Sequence, residues 1–137
     1  MRSDLILLVE DDPDDEELVV SCLDDNNIAR IYTVHDGVEA LTYLHQDERE
    51  LPRAVLLDLK LPRIGGLEVL RRIRAHPRTE LLPVVIMTSS KQDTDKISSY
   101  RGGANSFVIK PIDFDQFREA VRQLGIYWAG LNEIAEF

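Results

Sequence analysis

Asp58 stands where a carboxylate can do chemistry. It closes the apolar run Ala54-Val55-Leu56-Leu57 and opens the turn Asp58-Leu59-Lys60-Leu61-Pro62. Four apolar residues followed by an acid and a proline-bearing turn read as a buried strand ending at an exposed loop. The start of the chain repeats the design, with Leu5-Ile6-Leu7-Leu8-Val9 running into Glu10-Asp11-Asp12. If both runs are strands of one parallel sheet, their acids meet at its carboxyl edge, where open α/β sheets carry their sites. Carboxylates about 4 Å apart near a protein surface repel by roughly 4 kcal/mol per pair, so a fold that gathers them calls for a cation. Oxygen-only ligands beside a short loop suit Mg²⁺, which keeps waters that a phosphate can replace.

Two further runs end in reactive side chains. Ile86-Met87-Thr88-Ser89-Ser90 places hydroxyls after a strand, and Phe107-Val108-Ile109-Lys110-Pro111 places an ammonium. Taken singly, each has an ordinary reading: the acid a turn or cap, Thr-Ser-Ser a loop, Lys-Pro a solvated turn. Taken together, acids, a candidate nucleophile, a hydroxyl and a lysine converge on one edge from four strands.

The elements that must position them alternate. Strands are expected at Leu5–Val9, Arg30–Val34, Ala54–Leu57, Val84–Met87 and Ser106–Ile109. The first, third and fourth are continuous apolar runs, as in central parallel strands buried on both faces; the second is mixed and reads as an edge. Pro13 suits a first helical turn, and Asp14 to Glu17 suit its positive end. Asp36-Gly37 starts a helix through Val38, Leu41 and Leu44. Gly65-Gly66 precedes Leu67, Val69, Leu70 and Ile73, with Arg71, Arg72 and Arg74 expected outward and His76-Pro77 as the stop. A short, weakly apolar helix covers Asp93 to Tyr100, and Asp113 caps a last one from Phe114. Five βα units with right-handed crossovers make an α/β fold: a five-stranded parallel sheet in a flavodoxin-like (βα)5 three-layer sandwich.

Bulk properties set the class. A length of 137 residues is one domain with a full core, and 44% hydrophobic with 30% charged residues is an ordinary globular composition. A net charge of -9 argues against nucleic-acid or anionic-membrane binding. No apolar stretch approaches the roughly 20 residues of a membrane span, and the N-terminus is unlike a signal peptide. The lone Cys22, among Leu18, Val19 and Leu23, is expected to pack in the core. These features point to a cytoplasmic protein.

Val9-Glu10-Asp11-Asp12, Asp58 with Pro62 and Gly66, Thr88-Ser89, Gly103-Ala104 and Lys110-Pro111, in this order and spacing, resemble the receiver domain of two-component response regulators over nearly the whole chain. The resemblance implies that Asp58 accepts a phosphoryl group from the phosphohistidine of a sensor histidine kinase. It implies Mg²⁺ held by Glu10, Asp11, Asp58 and the Lys60 backbone carbonyl, with Thr88 and Lys110 on the phosphoryl oxygens. Phe107 takes the position of the family's switch aromatic; by itself it would read as a strand aromatic in the core, and it lacks the hydroxyl that tyrosine would offer. Lys60 and Ser90 fall where the family tunes hydrolysis of the aspartyl phosphate. Gly66 permits close approach of helix and loop.

The C-terminal part extends the resemblance. Gly103-Ala104-Asn105-Ser106-Phe107, Lys110-Pro111-Ile112-Asp113-Phe114 and Leu124-Gly125-Ile126-Tyr127-Trp128 with Leu131-Asn132 look like the small regulators that accompany bacterial phytochromes. That implies a bacteriophytochrome-type kinase as partner and a homodimer involving the last helix and tail. Phe117, Val121, Leu124, Trp128 and Leu131 form one apolar stripe that docks the helix. Tyr100, Phe114, Tyr127, Ile134 and Phe137 are surplus and are the expected dimer residues, across the fourth helix, fifth strand and last helix; a tail folded over its own domain is the alternative. The expectation is a single receiver domain over 1–137, with a C-terminal extension from about residue 125 and no output domain.

Specific residues bear on other functions. A Mg²⁺-dependent phosphatase with an aspartyl nucleophile needs a second acid two residues on, where Lys60 stands. A flavodoxin needs a phosphate loop after the first strand, where Glu10-Asp11-Asp12 would repel phosphate. An intermediate position in a phosphorelay is compatible with the same residues.

Overall fold

The computed structural model describes residues 4–135. Strands β1 (Leu5–Val9), β2 (Arg30–Val34), β3 (Ala54–Leu57), β4 (Val84–Thr88) and β5 (Ser106–Ile109) form one sheet, ordered β2-β1-β3-β4-β5. Every pairing is parallel. The three apolar runs expected at the centre are central, and the mixed strand is an edge. β1, β3 and β4 are buried along their whole length, because both of their faces are covered.

Helices α1 (Pro13–Val19), α2 (Gly37–Leu44), α3 (Gly66–Ala75), α4 (Asp93–Arg101) and α5 (Phe114–Ile126) alternate with the strands. α1 continues as a π-helical turn over Val20–Asp24, and α5 as another over Tyr127–Leu131. The pleat sorts strand side chains between two cores. Leu7, Val9, Val55, Leu57, Val84 and Ile86 meet Leu41, Leu44, Val69, Leu70 and Ile73 of α2 and α3. Ile6, Leu8, Leu56, Val85 and Met87 meet Leu18, Val19, Cys22, Leu23, Phe117 and Val121 on the opposite face. Cys22 is a core residue, as expected.

Three expectations are corrected. β4 runs one residue further, to Thr88. Arg74 does not turn outward: it follows Leu70 by one helical turn and lies on the flank of the buried face. There it donates to the carbonyls of Gly103 at 2.7 Å and Leu82 at 2.7 Å and to Asn105 Oδ1 at 3.0 Å. Leu131 leaves the docking stripe and is 70% exposed. The π-helical turn, closed by the Asn132 amide on the Tyr127 carbonyl at 2.7 Å, breaks the 3.6-residue period that the stripe assumed.

One buried arginine ties the middle of the chain to its C-terminal part. Arg53, immediately before β3, is only 2% exposed. Its guanidinium donates to the Trp128 carbonyl at 3.4 Å and to the Asn132 carbonyl, tying the C-terminal turn to the amino edge of the sheet.

Candidate functional site

The sheet runs outward from β1 in both directions, so the chain reverses between β1 and β3 and opens a crevice at their carboxyl ends. Glu10 and Asp58 flank it. The Glu10 amide donates to the Val34 carbonyl at 3.0 Å and the Asp58 amide to the Val9 carbonyl at 3.2 Å, so the ladder fixes both acids before their loops begin. Glu10 is buried at 1% exposure, Asp58 at 7%, and Asp11 is exposed. One oxygen from each of these three lies within 4.8 Å of the others. That spread is on the scale of the about 3–4 Å between ligand oxygens around one Mg²⁺. The donor set is all carboxylate oxygen, which fits a hard divalent cation. Asp12 faces elsewhere: its carboxylate caps α1 by accepting from the amides of Asp14 at 2.8 Å and Asp15 at 3.2 Å.

Gly66 brings α3 against this loop. A Cβ there would lie 2.4 Å from the Asp58 carbonyl oxygen and 2.6 Å from Leu59 Cα. The Lys60 amide donates to Asp58 Oδ1 at 3.1 Å, while the Lys60 side chain is exposed. Asp36 caps α2 through the Glu39 amide at 2.8 Å and reaches Arg63 of the loop at 3.5 Å.

Lys110 lies 9% exposed at the end of β5. Its ammonium donates to Glu10 Oε1 at 2.7 Å, Asp58 Oδ2 at 2.8 Å and Asp15 Oδ2 at 2.8 Å. Burial pulls its pKa down, but its hydrogen bonds to Asp15, Asp58 and Glu10 outweigh that and hold it above the ordinary lysine value. Burial pushes the Glu10 carboxyl up to about 7, against the pull of Lys110 and with the Asp58 charge adding to it. In sequence, Asp15 is a helix-end acid. Its place in the first turn of α1 was the available signal, but its contact with Lys110 spans 95 residues of sequence.

Thr88 is fully buried, and its hydroxyl accepts from the Ser90 amide at 3.3 Å. The Ser90 hydroxyl in turn donates to Asp95 on the first turn of α4. Phe107 pairs in register with Ile86 and packs half-buried on the α2/α3 core. Thr88 follows Ile86 by two residues on the same strand and shares that face.

The expected dimer residues divide. Phe114 lines a hollow with Asp14, Leu18, Lys110 and Ile112, beside the acidic crevice. Tyr127 lines a groove of about 540 Å³ between β5 and α5, with Val108, Leu124 and Trp128. Tyr100 is exposed on α4, and Ile134 is half-buried. Phe137 lies outside the described residues.

Residues 6–122 match the family model of the response regulator receiver domain. The chain belongs to that family. Receiver domains are two-component signalling modules, phosphorylated by histidine kinases and binding Mg²⁺ or Mn²⁺. The chain is 39% identical over 132 residues to the probable methanogenesis regulatory protein FilR2 of Methanothrix harundinacea (strain 6Ac), covering 93% of this chain and 85% of the relative. Among solved structures it superposes on the phosphorylated cyanobacterial phytochrome response regulator RcpA with a TM-score of 0.92 and 30% identity, covering 98% of this chain and 100% of the other. With the bacteriophytochrome response regulator AtBRR the identity is 42% and the TM-score 0.72, covering 97% of this chain and 100% of the other. The receiver fold and the likeness to phytochrome-associated regulators are both as expected. Among the described residues, no helix of this receiver domain is long and apolar enough to cross a membrane.

Proposed function

We propose that this receiver domain is a phosphoacceptor whose Asp58 takes a phosphoryl group from a histidine kinase of the phytochrome type. The observation that carries the reading is the convergence of Glu10, Asp11 and Asp58 with the Lys110 ammonium at the topological switch point. An Asp58 oxygen attacks the phosphorus of a phosphohistidine. A P–O bond forms as the P–N bond breaks, and its electron pair returns to the ring nitrogen, leaving neutral imidazole when the other nitrogen carries a proton. Little covalent work is asked of the protein; the task is positioning and neutralising charge.

Glu10, Asp11, Asp58 and the Lys60 carbonyl are the proposed Mg²⁺ ligands. When bound, the ion supplies positive charge at the phosphoryl oxygens. Lys110 supplies a second cation, and Thr88 an uncharged donor. Inward movement of the Thr88 hydroxyl would release the Ser90 amide and act on α4 through the Ser90–Asp95 hydrogen bond. Phe107, on the same face of the sheet, is the proposed switch aromatic. The kinase type is supported by the likeness to RcpA and AtBRR. A homodimer across α4, β5 and α5 is part of the proposal, centred on the groove lined by Tyr127 because Phe114 faces the other side.

The test is incubation with acetyl phosphate and Mg²⁺, followed by intact mass. The expected result is one added phosphoryl group, lost in Asp58→Asn and in excess chelator. A phosphoryl adduct that survives in Asp58→Asn would overturn the assignment.

A further inference from the structure

Lys110 has one partner more than this chemistry uses. An ammonium carries three N–H donors, and all three are committed, to Glu10, Asp58 and Asp15. Glu10 and Asp58 belong to the acidic crevice. Asp15 projects from α1 and has no part in the scheme above. Its side chain is 25% exposed, against 1% for Glu10 and 9% for Asp58, so it is the partner whose place water takes at least cost.

Building on the phosphoacceptor reading, we propose that Asp15 is a positioning residue that holds the Lys110 ammonium in the resting protein and surrenders it when a phosphoryl group arrives. A phosphoryl group on Asp58 brings three acceptor oxygens and close to two negative charges toward an ammonium with no uncommitted donor. Asp58 loses its carboxylate charge in the acyl phosphate, so the donor it held passes to the phosphoryl group; a second phosphoryl oxygen can draw its donor only from Glu10 or Asp15. Glu10, at 1% exposure, has no water at hand to take the place of the ammonium, whereas Asp15, at 25%, does. The exchange therefore falls on Asp15. It also removes the one ionic tie between β5 and the first turn of α1 that the ammonium provides. Asp15 thus opposes phosphoryl binding in the resting state and reports it to α1, on the face of the sheet opposite Thr88 and Phe107.

The experiment titrates the full chain with beryllofluoride and Mg²⁺, following bound fluoride by fluorine NMR. Asp15→Asn should bind about three- to tenfold more tightly than wild type, the range expected for losing one partly buried competing ion pair. Asp14→Asn makes the same charge change one residue away, at an exposed position that is not a Lys110 partner, and should change affinity by less than about twofold. In unmodified protein, the Asp15 carboxyl carbon resonance and the amides of α1 should shift when beryllofluoride binds. Unchanged or weaker binding in Asp15→Asn would overturn the proposal. So would equal effects of Asp14→Asn and Asp15→Asn, which reduce it to net charge, or an Asp15 resonance that stays still while beryllofluoride binds. A wild-type protein that binds no beryllofluoride would instead overturn the phosphoacceptor reading itself.

Discussion

Glu10 is the residue whose protonation sets the state of the crevice. Its carboxyl moves from an ordinary 4.5 to about 7, chiefly through burial, with Lys110 opposing and Asp58 adding. Between those values the folded chain holds a proton that the unfolded chain has lost. The Glu10 contribution to stability is therefore complete below about pH 4.5 and is lost as pH rises through about 7. In chelator at pH 8, Glu10→Gln should be more stable than wild type by about 1–3 kcal/mol, since the amide carries no buried charge. The gap should close toward pH 5, and Mg²⁺ should reverse the order, because a metal needs the ionised acid. Urea midpoints at the two pH values, with and without Mg²⁺, measure this. Equal midpoints for the two proteins at pH 8 in chelator would refute it.

At the scale of elements, the junction of β3 and α3 carries the site. Gly66 has no room for a Cβ, because its neighbours are the backbone of Asp58 and Leu59 at 2.4 and 2.6 Å, which cannot swing aside. Gly66→Ala should push α3 off the loop, cost about 1–3 kcal/mol, and weaken Mg²⁺ binding with it. Gly65 is the control: its nearest neighbour to an added Cβ is 3.9 Å away and its φ is -69°, which alanine adopts freely. Gly65→Ala should be neutral or stabilising by up to about 1 kcal/mol. Calorimetry and a Mg²⁺ titration of both variants separate the cases; similar losses in the two would show that packing at Gly66 is not the constraint.

For the whole molecule, one long-range contact sets where the C-terminal turn lies. Arg53 holds the carbonyls of the last turn from the opposite end of the sheet to the crevice. Arg53→Met should leave those carbonyls without their donor, cost about 1–3 kcal/mol, and raise hydrogen exchange over residues 127–132. Phosphorylation of Asp58 should be untouched. Loss of phosphorylation in that variant would mean that the clamp reaches the site. The β5–α5 groove is the proposed dimer face. Tyr127→Ala should weaken self-association by about tenfold, the scale of about 1.4 kcal/mol from apolar area withdrawn from a half-exposed ring. Phe114→Ala, on the other side, should leave it unchanged. Light scattering over a concentration series decides, and the reverse order of effects would move the interface to the α1 side.

The order of strands and helices, the division into central and edge strands, and the gathering of Glu10, Asp11 and Asp58 at one edge were legible in the sequence. Each depends on local pattern: apolar runs, helical periodicity, a proline or glycine at a boundary, and a topology that those elements nearly dictate. What only the tertiary structure decided are contacts between residues far apart in the chain. Asp15 reads locally as a helix-end acid and meets Lys110 because α1 and β5 pack on the same sheet. Arg53 carries no local signal in the sequence and is buried because the turn after α5 crosses over it. Arg74 lies on the flank of a helical face, where packing against the Gly103 loop, not periodicity, settles its direction. Leu131 follows an ideal helical stripe until a π-helical turn shifts the register. Tyr127 and Phe114 are equally surplus in sequence, yet they face different grooves, because the angular position of a side chain on α5 or the turn that continues it has meaning only once the helix is docked.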